Sequence, residues 1–131
     1  MRKLISSLII TAIFALMLTG CGNSGPVNKT LTVTEIRWNE MGAGTPIVMT
    51  YTELRAGDVI YKGFSSVITI KSVNENKVVF DIDGYLVRPN DDGTINLREE
   101  PLKSVFVTSG NSVELVTQTM DAGGNITITF E

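Results

Sequence analysis

Histidine is absent from the 131 residues, and cysteine occurs once, at position 21. Without histidine the chain lacks the commonest general base, the commonest metal ligand and the side chain that titrates near neutral pH. A single cysteine admits no disulfide within the chain. Zinc, copper and haem sites of the usual kinds lack their donors. Lys and Arg form no cluster after residue 20, which argues against nucleic acid and against electrostatic docking on anionic lipid. No segment after residue 20 shows a ten-residue helical pattern, and no internal repeat or low-complexity tract is visible. The glycines punctuate turns, and none forms a phosphate-cradling motif with a helix behind it.

What is present at the N-terminus is a secretory pattern. Arg2 and Lys3 are followed by an apolar run from Leu4 to Leu18, broken only by Ser6, Ser7 and Thr11. Those fifteen residues would span about 22 Å as a helix, short of the roughly 30 Å of a bilayer core. No stop-transfer pattern follows, so the segment reads as a cleaved signal. It ends in Leu18-Thr19-Gly20-Cys21. This run resembles the lipobox of bacterial lipoprotein precursors. The resemblance implies recognition of Leu18, Thr19 and Gly20 by the lipoprotein signal peptidase. It also implies cleavage before Cys21 and lipid attachment to the Cys21 sulfur. Two or more acyl chains anchor stably where one binds only marginally. The implied localisation is the cell membrane, lipid-anchored and facing its extracytoplasmic side.

The chain then divides into a signal peptide over 1–20, a lipidated cysteine with a flexible linker over 21–29, and one domain over 30–131. The linker, Gly22 to Lys29, is small, polar and turn-forming, with a reach of roughly 15 Å. Removing residues 1–20 leaves 111 residues, one domain's worth and enough to bury a core without disulfides. Loss of Arg2 and Lys3 leaves nine basic against 14 acidic residues, a net charge of −5.

Beyond Lys29 the chain is a series of short Val-, Ile-, Thr-, Phe- and Tyr-rich runs bounded by Gly, Asn, Asp or Pro, the pattern of a β domain. About nine strands are expected, in an antiparallel β-sandwich or, alternatively, a small β-barrel. Thr30–Asn39 opens the series, with a bulge expected at Thr34-Glu35. Leu31 and Val33 lie in one phase there, and Ile36 and Trp38 in the other. Ile47–Tyr51 and Asp58–Lys62 follow. Ser66–Val73 and Lys77–Asp83 form the clearest hairpin, with Ile68, Ile70, Val78, Phe80 and Ile82 inward. Tyr85–Arg88 and Thr94–Arg98 flank the turn at Pro89–Gly93, with Ile95 and Leu97 inward. A second hairpin joins Lys103–Thr108 to Ser112–Thr119. Met120–Asn125 reads as a loop, and Ile126, Ile128 and Phe130 mark the last strand.

Few residues suggest chemistry. Asp81, Asp83, Asp91 and Asp92, near Glu99 and Glu100, are weak calcium candidates. Asp81-Ile82-Asp83-Gly84-Tyr85 does not fit an EF-hand: its glycine comes too early and a tyrosine stands where a ligand belongs. Solvated turns are the simpler reading. Trp38, Tyr51, Tyr61 and Tyr85 would stack sugars if aligned on one face, but burial is the commoner fate of such side chains. Ser65, Ser66 and Ser109 have only a lysine as possible base. Glu35 and Asp58 are carboxylates with no supporting spacing for glycoside hydrolysis. The expected protein is therefore non-enzymatic, without cofactor, catalytic residue or nucleic-acid partner. It is a membrane-anchored envelope lipoprotein binding a protein or surface glycan. The alternative is a structural or assembly subunit of a larger cell-envelope complex.

Overall fold

A computed structural model describes residues 25–131. The expected signal peptide, with Leu18, Thr19 and Gly20, and the lipidation candidate Cys21 lie outside the described residues.

Alternation at period two shapes the domain. Side chains on a strand point to opposite faces in turn, so an alternating run buries one face. Ten strands result among the described residues: β1 (Leu31–Asn39), β2 (Gly42–Ala43), β3 (Ile47–Tyr51), β4 (Val59–Gly63), β5 (Ser66–Val73), β6 (Lys77–Asp83), β7 (Leu86–Val87), β8 (Ser104–Thr108), β9 (Asn111–Thr117) and β10 (Ala122–Phe130). No helix occurs among the described residues. One sheet runs β2-β1-β10-β9-β7, with β3 also paired to β1, and the other runs β4-β5-β6-β8. All pairings between named strands are antiparallel. The fold is a β-sandwich rather than a closed barrel.

Leu31 and Val33 of β1, Leu115 of β9 and Ile126, Ile128 and Phe130 of β10 meet Ile68, Ile70, Val78, Phe80, Ile82, Val105 and Val107 from the other sheet in a single core. Each such side chain, fully buried, contributes about 1.5–3 kcal/mol. The β5–β6 hairpin has the expected inward set, and a one-residue shift at Lys71 breaks its register near the end.

Several expectations are corrected. β1 has no bulge: it pairs with β10 without interruption from Leu31↔Phe130 to Asn39↔Ala122. The phase does not slip, because Glu35 takes the next inward position and is buried. The extra residue lies opposite β1, between β2 and β3. Trp38 pairs with Ala43 but Glu35 with Ile47, so Thr45-Pro46 stand opposite Ile36. Proline suits such a bulge because it has no donor to lose.

Thr94–Arg98 is not a strand, and Leu97 is exposed. No neighbour offers it a ladder, and the turn closes instead through Asn90 N–H to Thr94 O at 2.8 Å. β8 and β9 are not a hairpin, for β8 pairs with β6 and β9 with β10 and β7. Ser109-Gly110 crosses between the sheets, Ser109 N–H bonding Asn76 O and Gly110 N–H bonding Phe130 O, both at 2.8 Å. β10 begins at Ala122, so Gly123 and Gly124 belong to a strand. Tertiary pairing also starts before Thr30: Val27 exchanges two backbone bonds with Leu54, at 2.9 and 3.0 Å.

Candidate functional site

Among the described residues the only buried ionisable carboxylate is Glu35, 2% exposed. It sits on the inner face of β1, in the row that Leu31 and Val33 begin. A lone carboxylate there would cost several kcal/mol. Two groups satisfy it: Tyr61 Oη donates to Glu35 Oε2, and Arg37 Nε donates to Oε1 at 2.9 Å.

Tyr61 reaches Glu35 through a local irregularity. On β4 Val59 pairs with Thr69 but Tyr61 with Ile68, so Ile60 is an extra residue. A bulge lets two consecutive side chains face the same way, and both Ile60 and Tyr61 are buried. Tyr51 Oη, from the opposite sheet, donates to Ile60 O at 2.8 Å and fixes the bulge. Burial first, then the bond to Glu35 and the charge of Glu35, raise the Tyr61 phenol well above its ordinary value of 10, and Arg37 partly offsets this. Gly63 sits beside the phenol, where a Cβ would stand 2.7 Å from Tyr61 Oη.

The β4–β5 turn completes the group. Phe64 and Ser65 hold φ of 48° and 58°, a pair of left-handed residues as in a type I′ turn. Non-glycine residues take that region at a cost of about 1–2 kcal/mol each. The turn carries the Phe64 ring to the other sheet. There it lies against Gly124, whose Cβ would stand 3.0 Å from the ring, and beneath the Arg37 guanidinium at 5.7 Å. Gly123 faces outward, where Trp38, Thr117 and Thr119 crowd it, and a Cβ would meet the Trp38 ring at 2.8 Å. Trp38 spans this glycine to donate to Asn125 Oδ1 at 2.9 Å.

Glu35, Arg37, Tyr51, Ile60 and Tyr61 border an open cleft of about 330 Å³ between the edges of β3 and β4, lined also by Ile47, Met49, Val59 and Lys62. Chemically it offers a fixed guanidinium, a nearby ammonium and an apolar wall. Glu35 was visible in the sequence as a carboxylate and Tyr61 as an aromatic. The structure joins these two and places Asp58 elsewhere, its Oδ2 accepting from Arg55 N–H at 3.0 Å.

The other candidates are dispersed. Asp81 and Asp83 lie on the outward face of β6 and line an open cleft of about 450 Å³ with Glu100 and Lys103. Asp92 Oδ1 accepts from Thr94 Oγ1 at 2.6 Å and Thr94 N–H at 3.0 Å. These bonds hold its carboxyl below the usual range. No group of three or more His, Cys, Asp or Glu able to hold a metal occurs among the described residues. The aromatics form no row: Trp38 is half-buried, Tyr61 is buried and Tyr85 is exposed. Ser66 Oγ donates to Phe64 O and accepts from Tyr85 N–H. Ser109 does meet a lysine, Lys29 Nζ donating to its Oγ at 3.0 Å. That contact is open to water.

The chain matches no protein-family model, no curated protein and no solved structure.

Proposed function

We propose that the chain is a lipid-anchored extracytoplasmic module, tethered through Cys21, that binds a protein partner without catalysing a reaction. The lipobox-type run Leu18-Thr19-Gly20-Cys21 supports the anchor. The observation that carries the binding role is the polarity of the six-stranded sheet. Its tether end holds Val27, Thr30 and Glu131, the last two joined by backbone bonds of 2.9 Å. Nine residues of β1 separate this from the other end, about 26 Å away.

That far end exposes thioether and aliphatic groups. Met41 is 95% and Met120 78% exposed, and the Asn39↔Ala122 register brings their two turns side by side. Leu97 and Tyr85 belong to the same end. Gln118 N–H bonds Tyr85 O, and its side-chain amide bonds Asn96 O and Glu99 O. Flexible thioethers adapt to protein surfaces, whereas sugar recognition calls for stacked aromatic faces. This favours a protein over a surface glycan.

The test is photo-crosslinking in intact cells, with the crosslinker placed at position 41, 120 or 109. Discrete protein adducts are expected from 41 and 120 and not from 109. Adducts from all three positions alike, or glycan adducts in place of protein, contradict the proposal.

A further inference from the structure

The chemistry of the cleft between β3 and β4 points to a small ligand, and of its lining only Arg37 also borders the pocket at the exposed Met41. Arg37 is fixed on two sides. Its Nε is bonded to Glu35 at 2.9 Å, and the Phe64 ring lies 5.7 Å from its Cζ. The side chain is nevertheless 60% exposed. Its two terminal nitrogens donate to no group among the described residues. A guanidinium held this way loses little freedom on binding, and its two remaining nitrogens form a fork that matches an oxyanion.

Charge sets the valence of the ligand. Arg37 and Lys62 border the cleft with Glu35. Two cations against one carboxylate leave a single positive charge, which suits a monoanion better than a phosphate dianion. The wall sets the rest. Ile47, Met49 and Val59 line the cleft, and Ile47 and Val59 are 42% and 52% exposed. A volume of about 330 Å³ stands at the small end of ligand pockets, which run from about 300 to 1,000 Å³. We propose that this cleft binds a small monocarboxylate bearing an apolar body, with the carboxylate on the Arg37 fork and the body against Ile47, Met49 and Val59.

The experiment follows the methyl resonance of Met49 in the full chain, labelled at its methionine methyls and held in lipid nanodiscs, with Met49→Leu for assignment and empty discs as reference. The probes are 3-phenylpropanoate, the neutral 3-phenylpropan-1-ol and phenyl phosphate. The expected result is a saturable shift with the carboxylate alone. Arg37→Gln is expected to weaken it by about tenfold or more, and Arg37→Lys, which keeps the charge without the fork, by less. Should Arg37→Gln fail to fold, Lys62→Gln serves, since Lys62 makes no side-chain hydrogen bond among the described residues, and a several-fold loss is expected. An unmoved Met49, an equal response to the alcohol, tighter binding of phenyl phosphate, or wild-type affinity in whichever variant is folded overturns the proposal.

Discussion

At the scale of single residues several breaks of local preference gather at one place. Glu35 stands in an apolar row, Phe64 and Ser65 hold left-handed backbone, and Gly63 and Gly124 leave room that side chains occupy. Tyr61 and Arg37 together satisfy Glu35. Removing one partner therefore exposes the cost of the rest. Tyr61→Phe leaves one Glu35 oxygen unpaired in the interior and is expected to destabilise by about 1–3 kcal/mol at pH 7, measurable by urea denaturation. Adding Glu35→Leu to Tyr61→Phe should recover much of that loss, because an apolar pair replaces a buried charge. A double variant less stable than Tyr61→Phe alone would show the carboxylate to be stabilising in itself.

The same pair gives a pH signature. The Tyr61 phenol is raised above its ordinary value of 10. The unfolded chain therefore loses this proton first as pH rises, and the contribution present below pH 10 is progressively lost above it. Wild type should lose stability between neutral pH and strong alkali more steeply than Tyr61→Phe. Parallel curves for the two proteins would contradict the assignment.

At the scale of elements, β5 and β6 show what was legible. Ile68, Ile70, Val78, Phe80 and Ile82 alternate without exception and all are buried. Phe80→Asp places an unpaired charge in the core, a cost of several kcal/mol. Loss of the cooperative melt is expected, and a wild-type melting temperature would mean the register is wrong. The β4–β5 turn offers the opposite test. Ser65 holds a φ of 58°, which glycine adopts without strain, so Ser65→Gly should stabilise by about 0.5–1 kcal/mol. An unchanged or lowered melting temperature would show that the turn is unstrained there.

The illegible elements share a physical reason: their partners are distant in sequence. Alternation in β1 is regular only once Glu35 is counted as an inward residue, and the sequence does not reveal that Tyr61 and Arg37 wait for it. Gly123-Gly124 has the composition of a turn. It is a strand because the Trp38 indole covers one glycine and the Phe64 ring the other. The Ser109-Gly110 turn has the composition of a hairpin, yet it joins different sheets through bonds to Asn76 and Phe130. Ile95 and Leu97 alternate like strand residues but find no ladder. For the candidate site, Glu35 and Tyr61 were each visible as residue types. The bulge at Ile60 that joins them has no local signature.

At the scale of the whole molecule, the described residues form one sandwich whose first ordered pairing is at Val27, six residues after Cys21. The acidic turns carry no converging ligand set, so thermal melts with calcium and with a chelator should superimpose. A micromolar site in millimolar calcium would instead stabilise by about 4 kcal/mol, and loss of that gain in a variant with Asp91→Ala and Asp92→Ala would identify the turn as a site.

Everything proposed about location and partner depends on the anchor, and intact-mass spectrometry of the membrane fraction after expression in a bacterium tests it most directly. The expected species begins at Cys21 and carries a covalent diacylglycerol, while Cys21→Ala remains the uncut chain of 131 residues. A wild-type protein with an unmodified Cys21, or one cut elsewhere and released from the membrane, would contradict the account.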